Sequence, residues 1–203
     1  MVVEVTRAEQ DRIDLIWQSW DNITRFHRSM RIAMAREQDH WAPVRSHREV
    51  KVSAPVTMLG GPADVTLGEY RAALGSTGVL NGLLLLQSWS LAEALALVSL
   101  KKPDGRLGKV EEWAPVILSP NGKSVDDLPG GLAAVVESFI ARNSIAHVQP
   151  EWTVKMCDRI EAAGGDAPAL GERVDLSDPV ADRHRHAVHD LMRLTGLTET
   201  SYP

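Results

Sequence analysis

The most constraining feature of the chain is an apolar stretch from Val79 to Leu100, which contains four consecutive leucines. Its length is enough to cross a membrane. It is interrupted by five polar residues: Asn81, Gln87, Ser88, Ser90 and Glu93. A carboxylate in the middle of a bilayer costs about 3 kcal/mol. We therefore predict that the stretch is the central helix of a soluble bundle, with no membrane contact, and that Glu93 has a partner or a function there.

Length and charge limit the class of protein. A chain of 203 residues with 44% hydrophobic and 24% charged residues is typical of one globular domain, spanning 1–203. The net charge of -5 excludes a histone-like polycation, so nucleic acid would need a local basic patch. The single cysteine, Cys157, and an N-terminal segment without an apolar run predict a cytoplasmic location.

A second helix is predicted at residues 7–38, ending before Pro43. Its apolar positions are spaced three and four apart, as in a heptad seam: Ile13, Ile16, Trp20, Ile23, His27, Met30 and Met34. We expect His27, on this seam, to be a hydrogen-bonded interior histidine.

The opposite face of this helix is basic. Arg25, Arg28 and Arg36 project away from the seam, and residues 25–51 contain seven basic and three acidic residues. This face is either a solvated helix surface or an electrostatic site for a polyanion such as RNA.

The rest of the chain predicts further helices joined by two long connections. Residues 42–77 read as an irregular connection with one short helix at 67–74, and Lys101 to Gly131 as a second connection. Within a core at 78–196, helices should begin near Leu132, after Pro150 and after Ser177, and only Gly171 to Leu176 resembles a strand. The fold class is therefore all-α, a bundle of four or five helices.

Common enzyme motifs are missing from the sequence. It contains no phosphate-binding glycine loop, no nucleophile elbow and no paired cysteines for zinc. His186 and His189 lie three apart and could share a helix face, but without a third ligand they are a weak metal signal. We predict no metal and no cofactor.

A cluster of polar side chains ends the helix that begins near Leu132. It includes Arg142, Asn143 and His147. Arginine offers a permanent planar charge for phosphate oxygens, and histidine exchanges protons near neutral pH. Five residues turn a helix by about 140°, so either the helix unwinds before His147 or a second chain completes the site. Asn143, four residues before His147, could orient the ring. Alternatively, Arg142 and His147 only complement the carbonyls at a helix end.

The spacing Arg-Asn-x-x-x-His, after a leucine-rich helix that carries Ser-Trp-Ser-Leu-Ala-Glu, resembles the HEPN superfamily over residues 78–196. The looser spacing is also met by Arg183 and His189. The resemblance implies a small helical bundle, often a homodimer whose two motifs face one cleft. It places Arg142 and His147 at catalytic positions, with Asn143 and Glu93 in support.

The resemblance also implies an activity, that of a metal-independent endoribonuclease. The ribose 2′-hydroxyl would attack phosphorus, with His147 as general acid or base and Arg142 stabilising the phosphoryl charge. RNA is then the substrate, and an antitoxin or defence-system protein is a possible partner. The alternatives are a HEPN-like module that binds RNA, a nucleotide or a protein without cleavage, and a purely structural helical module.

Overall fold

The computed structural model describes residues 5–44, 50–54, 63–102, 105–147 and 151–199. Seven α-helices occupy most of these residues: α1 (Arg7–Trp41), α2 (Leu67–Leu74), α3 (Thr77–Ser99), α4 (Val110–Leu118), α5 (Gly131–Ala146), α6 (Val154–Ala162) and α7 (Asp178–Leu194). Two short strands, β1 (Lys51–Ala54) and β2 (Ala63–Thr66), form an antiparallel pair, and 3₁₀ turns lie at Ser119–Asn121 and Val125–Asp127. The class is all-α, as predicted.

Helix α1 is set by a strong start signal and an apolar seam. Thr6 and Glu9 form a capping box, in which each side chain accepts from the other residue's backbone N–H. The first half of the seam is buried at Ile13, Ile16 and Trp20, and His27 follows. Beyond His27 the seam is only partly covered, because the long helix extends past most of the bundle.

Helix α3 is the centre of the bundle. Contacts between His27 and Asn81, and between Glu9 and Lys101, show that α1 runs antiparallel to it. Contacts of Asn81 with Asp178 and of Ser88 with Arg185 show that α7 runs parallel to it. Helix α5 covers another side.

A buried hydrogen-bond relay ties α3, α5 and α7 together. The indole Nε1 of Trp89 donates to Oγ of Ser138 at 3.0 Å, and this hydroxyl donates to the backbone carbonyl of His184 at 3.0 Å. All three residues are almost fully buried. The relay fixes the position of α5, the helix that carries the predicted motif.

A second polar network joins α1, α3 and α7. Nε2 of His27 lies 3.0 Å from Oδ1 of Asn81, whose amide nitrogen donates to Leu176 and Asp178. Because Oδ1 only accepts, His27 carries its proton on Nε2. The prediction of a hydrogen-bonded interior histidine is confirmed.

Helix α3 is long and apolar enough to span a membrane by length and composition, but half of that stretch is buried in the protein. It packs against α1, α5 and α7. This is the packing predicted for a core helix.

Three expectations were wrong. The described residues form seven helices rather than four or five, and α4 fills a stretch expected to be a connection, whereas the short helix predicted at 67–74 is present as α2. Residues 42–77 contain the β1–β2 pair, although 45–49 and 55–62 of that connection lie outside the described residues. The strand-like segment Gly171 to Leu176 forms only an isolated bridge, between Arg173 and Glu151.

Candidate active site

The polar cluster at the end of α5 is positioned by the first residues of that helix. Gly131 has φ +63°, a left-handed conformation that glycine adopts without strain, so regular helical backbone begins at Leu132 as predicted. The helix then continues without a break to Ala146. Arg142 lies one turn after Phe139, on the side that faces α3.

Arg142 is held on both terminal nitrogens. Nη2 donates to Oε2 of Glu93 at 2.8 Å, and Nη1 donates to Oδ1 of Asn143 at 2.8 Å. The side chains of Arg142 and Glu93 are 20% and 26% exposed, so the ion pair is partly shielded from water. A guanidinium has five N–H donors, and these two bonds leave one donor on each terminal nitrogen. Arg142 can therefore still bind a ligand oxygen from the solvent side.

The Phe139 ring packs against the guanidinium of Arg142. The guanidinium carbon of Arg142 lies 5.7 Å from the Phe139 ring centroid, and that of Arg159 lies 5.8 Å from it. Arg159 is paired with Glu111 by two hydrogen bonds of 2.7 and 2.8 Å. The ring is thus shared by two ion pairs, which fixes the guanidinium of Arg142 at the surface.

The sequence predicts that Glu93 of α3 has a partner or a function. In the structure its carboxylate is paired with Arg142. Burial raises the pKa of the Glu93 carboxyl, and the adjacent guanidinium partly offsets this effect. The ion pair with Arg142 therefore favours the charged form of the carboxyl against the effect of burial. Nε of Arg142 is buried without a hydrogen-bond partner among the described residues.

His147 is placed apart from this ion pair. It forms the C-cap of α5, and its backbone N–H donates to the carbonyl of Asn143 at 3.0 Å. Its side chain is exposed and makes no hydrogen bond within the described part of the chain. Because the helix does not unwind before His147, the two motif side chains are separated by about 140° around the axis.

The spacing of Asn143 and His147 predicts that the amide orients the imidazole ring, and the structure does not show this contact. Oδ1 of Asn143 instead accepts from Arg142, because a charged donor on the neighbouring residue is a stronger hydrogen-bond partner than an exposed imidazole. One chain therefore assembles Arg142, Asn143 and Glu93 into a unit and leaves His147 beside it.

The predicted basic face lies on another side of the bundle. Arg25, Arg28 and Arg36 are all exposed on α1, which packs mainly against α3 and α2. Arg25 lies 3.9 Å from Asp21, and 78% of its side chain is exposed. No hydrogen bond or ion pair of the described residues connects this face to Arg142 or His147.

A groove of about 1010 Å³ lies beside the last turn of α5. Its walls are the start of α3, the last turn of α5 and the segment 173–177. Val79 and Leu83 are 66% and 57% exposed on its rim, while Ser144 and Ile145 connect it to the turn between Arg142 and His147. The groove places an apolar, accessible surface next to the motif.

The histidine-rich run on α7 carries the two imidazoles that are three positions apart, those of His186 and His189. No group of three metal-ligating side chains occurs among the described residues. His186 is exposed, whereas His189 stacks on Trp20 with ring centroids 5.4 Å apart. The two imidazoles thus have different surroundings.

Sequence reasoning missed two arginines that the fold puts to use, Arg159 and Arg185. The first is paired with Glu111, and the second lies over Trp20. The sequence does indicate the position of Arg185, because its spacing places it beside the buried face of α7, which is formed by Ala181, His184 and Val188. For Arg159 the contact depends on how α6 packs, which no local pattern reports.

Compared with protein-family models, with curated proteins and with solved structures, the chain shows no significant match. Its function has to be argued from the site itself.

Proposed function

We propose that the protein is a metal-independent endoribonuclease of the HEPN type that acts as a homodimer. The observation that carries the proposal is the contrast between two neighbouring side chains. Arg142 is fixed at the surface with donors to spare, while His147, at the end of the same helix, is exposed and takes no part in holding the fold together. This is the arrangement expected of an anion-binding group beside a proton-transfer group.

The reaction follows from the chemistry of the two groups. His147 accepts the proton of the ribose 2′-hydroxyl, whose oxygen then attacks the adjacent phosphorus. The bond from phosphorus to the 5′-oxygen breaks, and that oxygen takes a proton from an imidazolium. The products are a 2′,3′-cyclic phosphate and a 5′-hydroxyl. Arg142 donates its free N–H groups to the non-bridging oxygens, where negative charge develops.

A second protomer gives this reaction both of its proton-transfer groups. Within one chain the regular helix separates Arg142 from His147 by about 140°, and one imidazole cannot be base and acid in the same step. A two-fold axis near the end of α5 would bring two copies of the motif to one cleft. The exposed apolar rim at Val79 and Leu83 offers a surface for that contact.

The test compares purified wild type with His147→Ala and Arg142→Ala on a fluorescent single-stranded RNA. We expect cleavage that survives EDTA, products with 2′,3′-cyclic phosphate ends, and a loss of about 10²- to 10⁴-fold in each variant. His40→Ala, which removes another exposed histidine, on α1 and outside the groove, is the matched control and should cleave like wild type. A strand with a 2′-deoxyribose at each cleavage position should stay intact.

The alternative is a module that binds RNA, a nucleotide or a protein without cleaving. One observation favours it: Glu93 neutralises Arg142 in the free chain. Wild type that binds RNA but never shortens it would support this alternative. Cleavage unchanged in His147→Ala would overturn the nuclease mechanism.

The biological setting belongs to the same proposal. A ribonuclease of this kind fits a toxin or antiphage effector in the cytoplasm, held inactive by an antitoxin or another defence-system protein. Co-expression with proteins from neighbouring genes would identify such a partner. A partner should relieve growth inhibition caused by the wild type, whereas His147→Ala should not inhibit growth at all.

A further inference from the structure

A second cleft, of about 280 Å³, lies between α1 and α7. Its walls carry Trp20, Thr24 and Arg28 from α1, and Arg185, His186 and His189 from α7. It shares no lining residue with the Arg142 site. Its volume is just below the range of clefts that hold drug-sized ligands, so it suits a small group.

Arg185 is the central cation of this cleft. Its guanidinium carbon lies 4.2 Å from the centroid of the Trp20 ring, which is itself 6% exposed. Nε donates to Oγ of Ser88 at 3.3 Å, and Nη2 donates to Oγ1 of Thr24. Both hydroxyls donate in turn to backbone carbonyls, so they are oriented to accept from Arg185.

The hydrogen-bond partners of Arg185 are therefore neutral, and its guanidinium forms no ion pair among the described residues. Burial, together with the nearby charge of Arg28, lowers the pKa of Arg185, and the carboxylates of Asp182 and Asp21 offset part of this effect. A guanidinium removed from water without a carboxylate partner is unfavourable unless an anion joins it. Three of its five N–H donors remain unused.

Arg28 adds a second cation at the mouth of the cleft, where it is exposed. Neither Arg28 nor Arg185 forms an ion pair with a carboxylate of the described residues. Asp21 and Asp182 also line the cleft, so two carboxylates face its two guanidiniums. Asp21, however, lies within 3.9 Å of Arg25 on the outer face.

The aromatic surface of the cleft is already used. The Trp20 ring is covered by Arg185 and by His189, whose ring stacks on it with an interplanar angle of 29°. A nucleobase would find no free aromatic face there. What the cleft presents is a set of N–H donors from two guanidiniums, and such donors recognise oxyanions.

We infer that the cleft between α1 and α7 binds a phosphoryl group, with Arg185 and Arg28 as its donors. The group is the phosphate of a free nucleotide or inorganic ion, or a backbone phosphate of RNA. Arg185 supplies a guanidinium held by Thr24, Ser88 and Trp20, and Arg28 supplies a mobile charge that closes on the bound oxygens.

The test uses the full chain and calorimetric titration with inorganic phosphate, adenosine 5′-monophosphate and a short RNA lacking a terminal phosphate. We expect saturable binding to wild type, weakened about tenfold in Arg28→Gln by loss of one charge-assisted contact. Arg12→Gln, which neutralises an exposed arginine of α1 outside both the cleft and the basic face, should bind like wild type. Arg185→Gln should bind least. If Arg185→Gln does not fold, the comparison of Arg28→Gln with wild type tests the inference by itself.

The three ligands distinguish the source of the phosphate. Displacement of RNA by inorganic phosphate in wild type indicates that both occupy the cleft, whereas binding of the monophosphate alone indicates a terminal phosphate. The inference is overturned if wild type binds none of the three, or if Arg28→Gln binds them as tightly as wild type. RNA cleavage is not the readout, so an Arg28→Gln variant that binds like wild type overturns this inference and leaves the nuclease proposal standing, and wild type that binds phosphate without cleaving RNA does the reverse.

Discussion

Glu93 and Arg142 join α3 to α5 through an ion pair with an Nη2–Oε2 distance of 2.8 Å, although 49 positions separate them in the sequence. Both side chains are largely shielded, so the pair should contribute more to stability than a surface salt bridge does.

A double-mutant cycle of Glu93→Gln and Arg142→Met tests this contribution. We expect a coupling of about 1 kcal/mol in urea unfolding, because each single variant leaves a partly desolvated charge alone. The matched control is the Glu137–Arg183 pair, also 2.8 Å long, whose arginine is 61% exposed. Its coupling should be below about 0.5 kcal/mol, and equal couplings would contradict the argument from shielding.

The stability of the protein should fall between pH 6.5 and pH 4 because of His184. Burial lowers the pKa of this histidine from 6.5 to about 4, with a further lowering by Arg183 and a small opposite effect of Asp175. The unfolded chain therefore binds a proton that the folded chain excludes, so stability is fully present above pH 6.5 and declines as the pH falls. From pH 7.5 to pH 5 the loss should be about 2 kcal/mol.

Urea unfolding at the two pH values measures this effect, and His184→Leu is the comparison. The variant removes a ring whose Nε2 is buried without a partner in the described residues, so it should be tolerated. Its stability should change by about 2 kcal/mol less than that of wild type over the same interval. An identical pH dependence in both proteins would assign the effect to other groups.

His27→Leu should lower the free energy of unfolding by about 2 kcal/mol, because it leaves the buried Oδ1 of Asn81 without the N–H donor of His27. Asn22→Leu, at an exposed position of the same helix, is the control and should change stability by less than about 0.5 kcal/mol. Thermal unfolding followed by circular dichroism compares the two. A small effect of His27→Leu would mean that the network tolerates the loss.

Substitution of Arg25, Arg28 and Arg36 together by glutamine should weaken RNA binding and reduce its dependence on salt. Each lost phosphate contact on a single strand lowers the slope of log affinity against log salt by about 0.7, so three contacts lower it by about 2. Arg12→Gln, at an exposed position near the other end of α1, should leave the slope unchanged. Equal slopes in all proteins would make the basic face a solvated surface.

Leu83→Lys should disrupt the proposed dimer. The side chain is 57% exposed beside the α5 motif, so the free chain should tolerate the charge, whereas an apolar contact with a second copy should not. Light scattering reports the mass, with Val116→Lys, an exposed apolar residue on α4, as control. A wild-type protein that stays monomeric would remove the second chain from the mechanism.

Most helices were readable from local spacing. The short helix at Leu67–Leu74 and the ends of α6 and α7 follow from caps, glycines and apolar periodicity. Helix α4 shows the same periodicity, with Val110, Trp113, Ala114, Ile117 and Leu118 all buried. Pro115 and the surrounding glycines, which are typical of loops, hide this helix in the sequence. The two four-residue strands were missed because segments so short carry little alternation.

The sequence by itself determined the all-α class, the face of α1 that is buried and the polar cluster at the end of α5, since each depends on residues within a few turns of one another. Only the tertiary structure decided which charges meet. Asn143 could have turned toward His147 but binds Arg142, and Arg185 lies against Thr24, which is 161 positions away. Such contacts depend on the angle and register at which helices pack, and these are set by the fit of the whole core rather than by any local pattern.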